Sequence, residues 1–331
     1  MKKRCILVLM ASLFLLGSVH TAAFAKEDIM LRIGGGIMGG PFFPMAASVM
    51  MAINEGVPGV VSTVIPGDSI SNLKKIDGGT VDLGLTYPVW TYDAWVGRAI
   101  FEGKQYRNIR SIGKIAVHPF QLTVPAKSKI RTIMDLKDKN LAVGPRGSGT
   151  EYHFRRVMEA YGITWDDVKN AGGKVNFVSF GEMASLMKDG RVDCAIFPSF
   201  PDENIMDVEV AFPCRVLNID QEHIDMIKKK YPGTVFFKVP KGTYKGQDAD
   251  VMAIGFATQL ISKTALPDDL VYNITKSVYD NPQKLAKGFA DFAKMTPAFG
   301  LEDMVIPLHA GSTKYYQEKG LKIRPEIQPT K

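Results

Sequence analysis

Cysteine is scarce in this chain, three residues in 331, and histidine is little commoner at five. Cys5 lies in a basic N-terminal stretch, which leaves Cys194 and Cys214. Two are too few for a disulfide scaffold, and neither has the CxxC or Cys/His spacing of a zinc site. In an oxidising compartment the two can pair with each other; Cys194, inside an apolar strand, equally suits a buried thiol. His118, His153, His223 and His309 are scattered, so no metal site is indicated. Beyond the N-terminus no run approaches the ~18 apolar residues of a membrane-spanning helix. No basic run interleaved with aromatics is present, which argues against nucleic acid. There is no GxSxG and no recognisable nucleophile–base–acid set, so the chain reads as a binding protein and not an enzyme, with no cofactor.

What is present starts at the N-terminus. Lys2, Lys3 and Arg4 precede an apolar run from Ile6 to Leu16, and Ala23, Phe24 and Ala25 form a small-residue cleavage site. This predicts a secretory signal peptide over residues 1–25 and a periplasmic mature protein. Cleavage removes three basic residues and no acidic one, leaving 38 Lys+Arg against 34 Asp+Glu. That balance suits ordinary solubility. With 46% hydrophobic residues, the mature chain is long enough to bury the cores of about two domains.

The organising stretch runs from Leu141 to Arg156 (LAVGPRGSGTEYHFRR): a short apolar strand, a glycine-rich turn, and an amphipathic helix opening at Thr150. Glycines let the backbone approach a ligand, and the free N–H groups and positive dipole end of the helix favour an anion. Gly144 to Gly149 has P-loop glycine spacing, but Thr150 and Glu151 stand where Lys and Ser/Thr are required, which argues against nucleoside triphosphate.

The chain makes this arrangement twice. Strand 29–33, the turn 34–44 and a helix through 45–55 lead to strand 60–65, a turn at 66–69, a helix over 70–76 and strand 83–86. Strand 141–143, the organising turn and helix 150–161 lead to strand 175–179, a turn at 180–182, a helix over 183–187 and strand 194–197. From the last glycine of each first turn to the aspartate before the closing strand is 42 residues in one copy (Gly40 to Asp82) and 44 in the other (Gly149 to Asp193). Two βαβαβ units make two α/β lobes whose ligand turns lie at the carboxyl ends of parallel strands. Residues 110–125 read as a crossover strand into the second lobe, and 235–240 with 251–259 as the return. Helices 268–279, 282–294 and 313–319 complete the first lobe. The expected division is lobe I over 26–120 plus 245–331 and lobe II over 121–244, joined by two strands as a hinge.

Gly39 to Pro44 (GGPFFP), Asp77 to Gly84 (DGGTVDLG), Val143 to Glu151 (VGPRGSGTE), Lys241 to Gln247 (KGTYKGQ), and Ile306 to Gly311 (IPLHAG) followed by Tyr315, Tyr316, Lys319 and Gly320 carry a resemblance. In their order and spacing they resemble the TAXI subfamily of TRAP-transporter solute receptors. The resemblance implies a type II periplasmic binding protein fold, with two α/β lobes around a ligand cleft. It further implies capture of a small carboxylate or amino acid, delivered to an ion-gradient-driven TRAP permease. Pro41 replaces the family's usual hydroxyl residue, and Pro198 to Pro201 (PSFP) replaces small residues. Both changes remove hydrogen bonds or add apolar bulk, and they favour a carboxylate with an apolar or aromatic portion.

The expected ligand contacts follow from the turns. Ser148, Gly149 and Thr150 offer donors to the anion, and Arg146 can reach a carboxylate bidentately. Gly39, Gly40, Phe42 and Phe43 form the facing turn. Ser69 and Asn72 open the second helix of the first unit. Tyr87 and Trp90 stand at the carboxyl edge of its closing strand, and Ser199 and Phe200 at the matching place in the second lobe. A monomer is the default. The alternative partner is an ABC importer or a sensor kinase. A dinucleotide-dependent oxidoreductase is the remote alternative, since Gly34, Gly36 and Gly39 satisfy GxGxxG. The acidic ribose ligand expected at a strand end is absent, because Glu55 falls at the end of a helix.

Overall fold

The computed structural model describes residues 28–329, and the expected signal peptide lies outside them. The first unit is built as its pattern predicts: β1 (Ile29–Gly34), α1 (Phe42–Gly56), β2 (Val60–Ile65), α2 (Ser71–Asp77) and β3 (Leu83–Thr86). Along α1 the apolar residues Phe42, Met45, Ala46, Val49, Ala52 and Ile53 recur at helical spacing and are all buried. Next come α3 (Pro88–Val96) and the long strand β4 (Ile109–Pro125).

The second unit repeats the first: β5 (Asn140–Ala142), α4 (Gly149–Ala160), α5 (Trp165–Asn170), β6 (Lys174–Asn176), α6 (Phe180–Lys188) and β7 (Cys194–Phe197). It is followed by α7 (Glu203–Val208), β8 (Cys214–Val216), α8 (Gln221–Lys230), β9 (Val235–Val239) and β10 (Val251–Lys263). The chain ends in α9 (Asp268–Tyr279), α10 (Pro282–Leu285), α11 (Pro297–Leu301) and α12 (Ala310–Glu318).

The strand order β2-β1-β3-β10-β4-β7-β5-β6 reads almost as a palindrome. In each unit the first strand lies between the other two and pairs parallel with both. An antiparallel long strand flanks each closing strand, β10 beside β3 and β4 beside β7, and β4 pairs with β10 from Ile109↔Lys263 to Phe120↔Ile254. The closing aspartates explain the matched spacing. The Arg32 N–H donates to Asp82 Oδ2 and the Asp82 N–H to the Arg32 carbonyl. Asn140 and Asp193 exchange the same two bonds. Each carboxylate thereby ties the loop before the closing strand to the first strand of its unit.

Three expectations need correction. The single helix expected over 282–294 is α10 followed by a separate 3-10 turn at Ala290–Lys294. Gly288 lies between them, packed so closely on Ser48 that a side chain there would collide with its hydroxyl. The strand expected over 175–179 is the short β6, because Ser179 turns away to cap α6. The turn expected at 180–182 is already helical, since α6 begins at Phe180. Of the two fates left open for the cysteines the structure shows the thiols: Cys194 and Cys214 are both free and buried. Among the described residues no helix is long and apolar enough to cross a membrane.

Candidate functional site

The organising turn is shaped by Gly144 at φ +96° and Gly147 at φ +73°, a region that disfavours residues with a Cβ. It delivers the chain to α4, where Ser148 Oγ caps the helix by accepting from Glu151 N–H at 3.3 Å. Gly149 and Thr150 occupy the first two helical positions, whose N–H groups have no intrahelical acceptor. In the first unit, Gly36 to Phe42 forms the facing turn and leads into α1.

The two units meet reciprocally. A Cβ on Gly149 would collide with Ser69 Oγ, and one on Gly40 would lie 2.9 Å from the Phe180 ring. The last glycine of each unit's first turn therefore abuts the start of a helix in the other unit, Phe180 of α6 or Ser69 just before α2. Between them lies a narrow pocket walled by Gly36, Ile37, Gly40, Pro41, Phe42, Asp68, Ser69, Tyr87, Gly149, Thr150, Phe180 and Pro198.

Its donors stand out because the protein leaves them unused. Among the described residues, the hydroxyls of Ser69, Tyr87 and Thr150 have no hydrogen-bond partner, and the buried Trp90 Nε1 beside Gly149 has none either. Burial, assisted by the Asp68 charge, holds the Tyr87 hydroxyl well above its ordinary range, so it stays a neutral donor. The wall carries no Lys or Arg; its one charged member is Asp68, whose Oδ1 accepts from Ile70 N–H at 2.8 Å and Ser71 N–H at 3.1 Å. Behind the wall, Tyr87 packs with Phe42, Phe120, His153 and Phe256. Burial keeps His153 far below its ordinary pKa, as a neutral ring in this apolar cluster.

Of the residues expected at the site, Gly40, Phe42, Ser69, Tyr87, Gly149 and Thr150 come together in the pocket. Gly39, Phe43, Ser199 and Phe200 line an adjoining open groove that shares Gly40 and Pro41 with it. Trp90 is fully buried behind Gly149, outside the pocket wall. Three more do other work. The Ser148 hydroxyl caps α4. Asn72 is buried, its Nδ2 donating to the carbonyls of Gly34, Gly35 and Leu85 and so binding the ends of β1 and β3 together. Arg146 is exposed and rests 3.8 Å above the Phe177 ring, outside the pocket wall.

Asp68, Phe180 and Pro198 were missed. Phe180 is the first residue of α6, close to where Ser69 precedes α2 in the other unit.

The model of the NMT1-like family matches residues 33–320. Among solved structures, PhnD1 from Prochlorococcus marinus (MIT 9301), in complex with methylphosphonate, is 12% identical, with 80% of this chain and 90% of that chain covered at a TM-score of 0.53. A structure described for glutathione import in Gram-positive bacteria via GshT and the cystine ABC importer TcyBC of Streptococcus mutans is 14% identical. It covers 80% of this chain and 95% of that one, at a TM-score of 0.50. At such identities the likeness concerns the fold, which is the mixed α/β fold of type II periplasmic binding proteins.

Proposed function

This chain belongs to the NMT1-like family, and from that premise we propose that it is an extracytoplasmic solute receptor for a small organic anion. One observation carries the reading. Unpaired donors from both units, Ser69 and Tyr87 from one and the start of α4 from the other, converge on a single pocket. Hydroxyls and helix N–H groups hold a carboxylate without a counter-charge, and the Asp68 carboxylate in the same wall favours a solute with an ammonium or hydroxyl beside its anionic group.

No nucleophile–base pair adjoins the pocket. Burial pushes the Cys194 thiol well above its usual value and that of Cys214 up to about 12, which makes both inert.

The lobes of this reading are residues 26–120 with 245–331, and 121–244. They open and close about β4 and the 235–240 segment, and the ligand makes its full contacts only when Gly149 meets Ser69. The motifs resembling TAXI receptors point to a TRAP permease as recipient. The fold neighbours favour ABC import instead, since one of them is described for an ABC importer, and we take that route as the better supported. The signal-peptide pattern in residues 1–25 supports an extracytoplasmic site of action.

The test is a thermal-shift screen of the purified protein against amino acids, 2-oxoacids, aromatic acids and dicarboxylates. A ligand at 100 times its dissociation constant adds about 2.7 kcal/mol. Silence of a folded protein across the panel would overturn the reading.

A further inference from the structure

The open groove beside the pocket continues from it past Gly40 and Pro41. Its walls are aromatic: Phe43 on α1, Phe200 after β7, and Phe289 before the 3-10 turn. Phe43 is 40% exposed and presents its ring to the groove.

The one buried polar side chain among the described residues of this wall has no partner. His118 on β4 is 4% exposed, and neither ring nitrogen makes a hydrogen bond among the described residues. Its Nδ1 stands 3.8 Å from Asp291 Oδ2, beyond hydrogen-bond length. Burial pushes its pKa down to about 4, so at neutral pH the ring offers one N–H donor and one nitrogen acceptor. The rim carries the carboxylates of Glu203 and Asp291, and Asp291 is paired with the exposed Lys294 at 3.2 Å.

We propose that this groove receives the distal end of the solute whose anionic end lies in the pocket, and that this end is an aromatic ring bearing a neutral hydrogen-bonding group. The inference rests on the receptor reading and narrows its ligand to monoanionic aryl acids. Three phenylalanines supply the ring's surroundings. His118 supplies the partner for a phenol, indole or amide group, and loses an unsatisfied buried atom in doing so. The acidic rim disfavours a second carboxylate at that end, so dicarboxylates are discriminated against.

Isothermal titration of the purified protein tests this with two series of probes. One is propanoate, 3-phenylpropanoate, 3-(4-hydroxyphenyl)propanoate and glutarate; the other is L-alanine, L-phenylalanine, L-tyrosine and L-glutamate. In at least one series the hydroxyphenyl member binds tenfold or more tightly than both the tailless and the dicarboxylate members. Phe200→Ala, or the exposed Phe43→Ala should the first misfold, removes most of that gain and leaves the tailless affinity within about twofold. His118→Phe erases the preference for hydroxyphenyl over phenyl. Tailless or dicarboxylate members binding as tightly as aryl members would overturn the inference and leave the receptor standing, as would an aryl preference untouched by the Phe200 and Phe43 variants. If none of the eight acids binds, this inference falls, and the broader thermal-shift panel decides the receptor reading separately.

Discussion

Gly149 of the second unit stands against Ser69 of the first so closely that a Cβ there would force the Ser69 hydroxyl to move. The contact joins the unpaired hydroxyl of one half to the free N–H groups of the other, so it sets the width of the pocket. Gly149 does not have a positive φ, and alanine at the first position of a helix is compatible with folding. Gly149→Ala is therefore expected to change unliganded stability by less than about 1 kcal/mol. It should weaken solute binding at least tenfold, about 1.4 kcal/mol, because Ser69 is pushed out of the pocket or the halves are held apart. Urea unfolding and titration separate the two effects. Equal affinity in the variant would show that the approach is incidental.

Gly40 and Phe180 make the matching contact on the other side. Here the obstacle is a ring edge at 2.9 Å, a smaller overlap than the one at Gly149. Gly40→Ala is expected to weaken binding less than Gly149→Ala, by about two- to fivefold or under 1 kcal/mol. The double variant tests independence: if both act by holding one cleft open, their effects sum to less than the single losses.

Between the two units, Arg156 Nη2 on α4 donates to Asp93 Oδ2 on α3 at 2.5 Å, and both side chains are buried. The guanidinium lies 3.9 Å from the Trp90 ring centre and 4.0 Å from that of Tyr231. Burial lowers its pKa, with Asp93 opposing. The consequences of removal are unequal. Asp93 keeps a second cation, Arg98 Nε at 2.5 Å, whereas Arg156 has no other carboxylate in the described ion pairs. Asp93→Asn should cost about 3–5 kcal/mol, and Arg156→Met distinctly less. Asp93→Leu with Arg156→Met should recover much of the loss in urea unfolding. A larger loss from Arg156→Met than from Asp93→Asn would contradict this account.

The frame of the molecule was legible because it is written twice. Strand, glycine turn, helix and closing aspartate recur at nearly equal spacing, and Asp82 and Asp193 perform the same backbone exchange in the structure. What stayed hidden lacked a period or a partner. Helix α3 is buried on nearly every side, Pro88, Val89, Trp90, Thr91, Asp93 and Ala94 together, so it has no amphipathic stripe to read. Arg146 could be placed in the turn by position, but spacing does not say where a long side chain lies, and it chose the Phe177 ring. The split of Phe42 and Phe43 between pocket and groove follows from the start of α1, where adjacent residues point about 100° apart.

The buried histidines predict an acid-sensitive fold. His118 is neutral in the native state because it is desolvated, with Asp291 raising and Lys294 lowering its pKa to a net value of about 4. His153 is held well below its ordinary value by burial and by Arg156. In the unfolded chain both titrate near 6.5. Between that value and the folded pKa the unfolded state binds more protons, so stability rises with pH. The contribution of His118 is complete above pH ~6.5 and is lost as pH falls toward about 4. Unfolding free energies at pH 7.5, 6.5, 5.5 and 4.5 should therefore decline more steeply for the wild type than for His118→Phe or His153→Phe. Carboxylates titrate in part of the same range, but they are common to all three proteins and cancel in the differences. Parallel curves would mean that the rings take up protons inside the native fold. In that case Asp291, the nearest carboxylate to His118, would have to accept the charge.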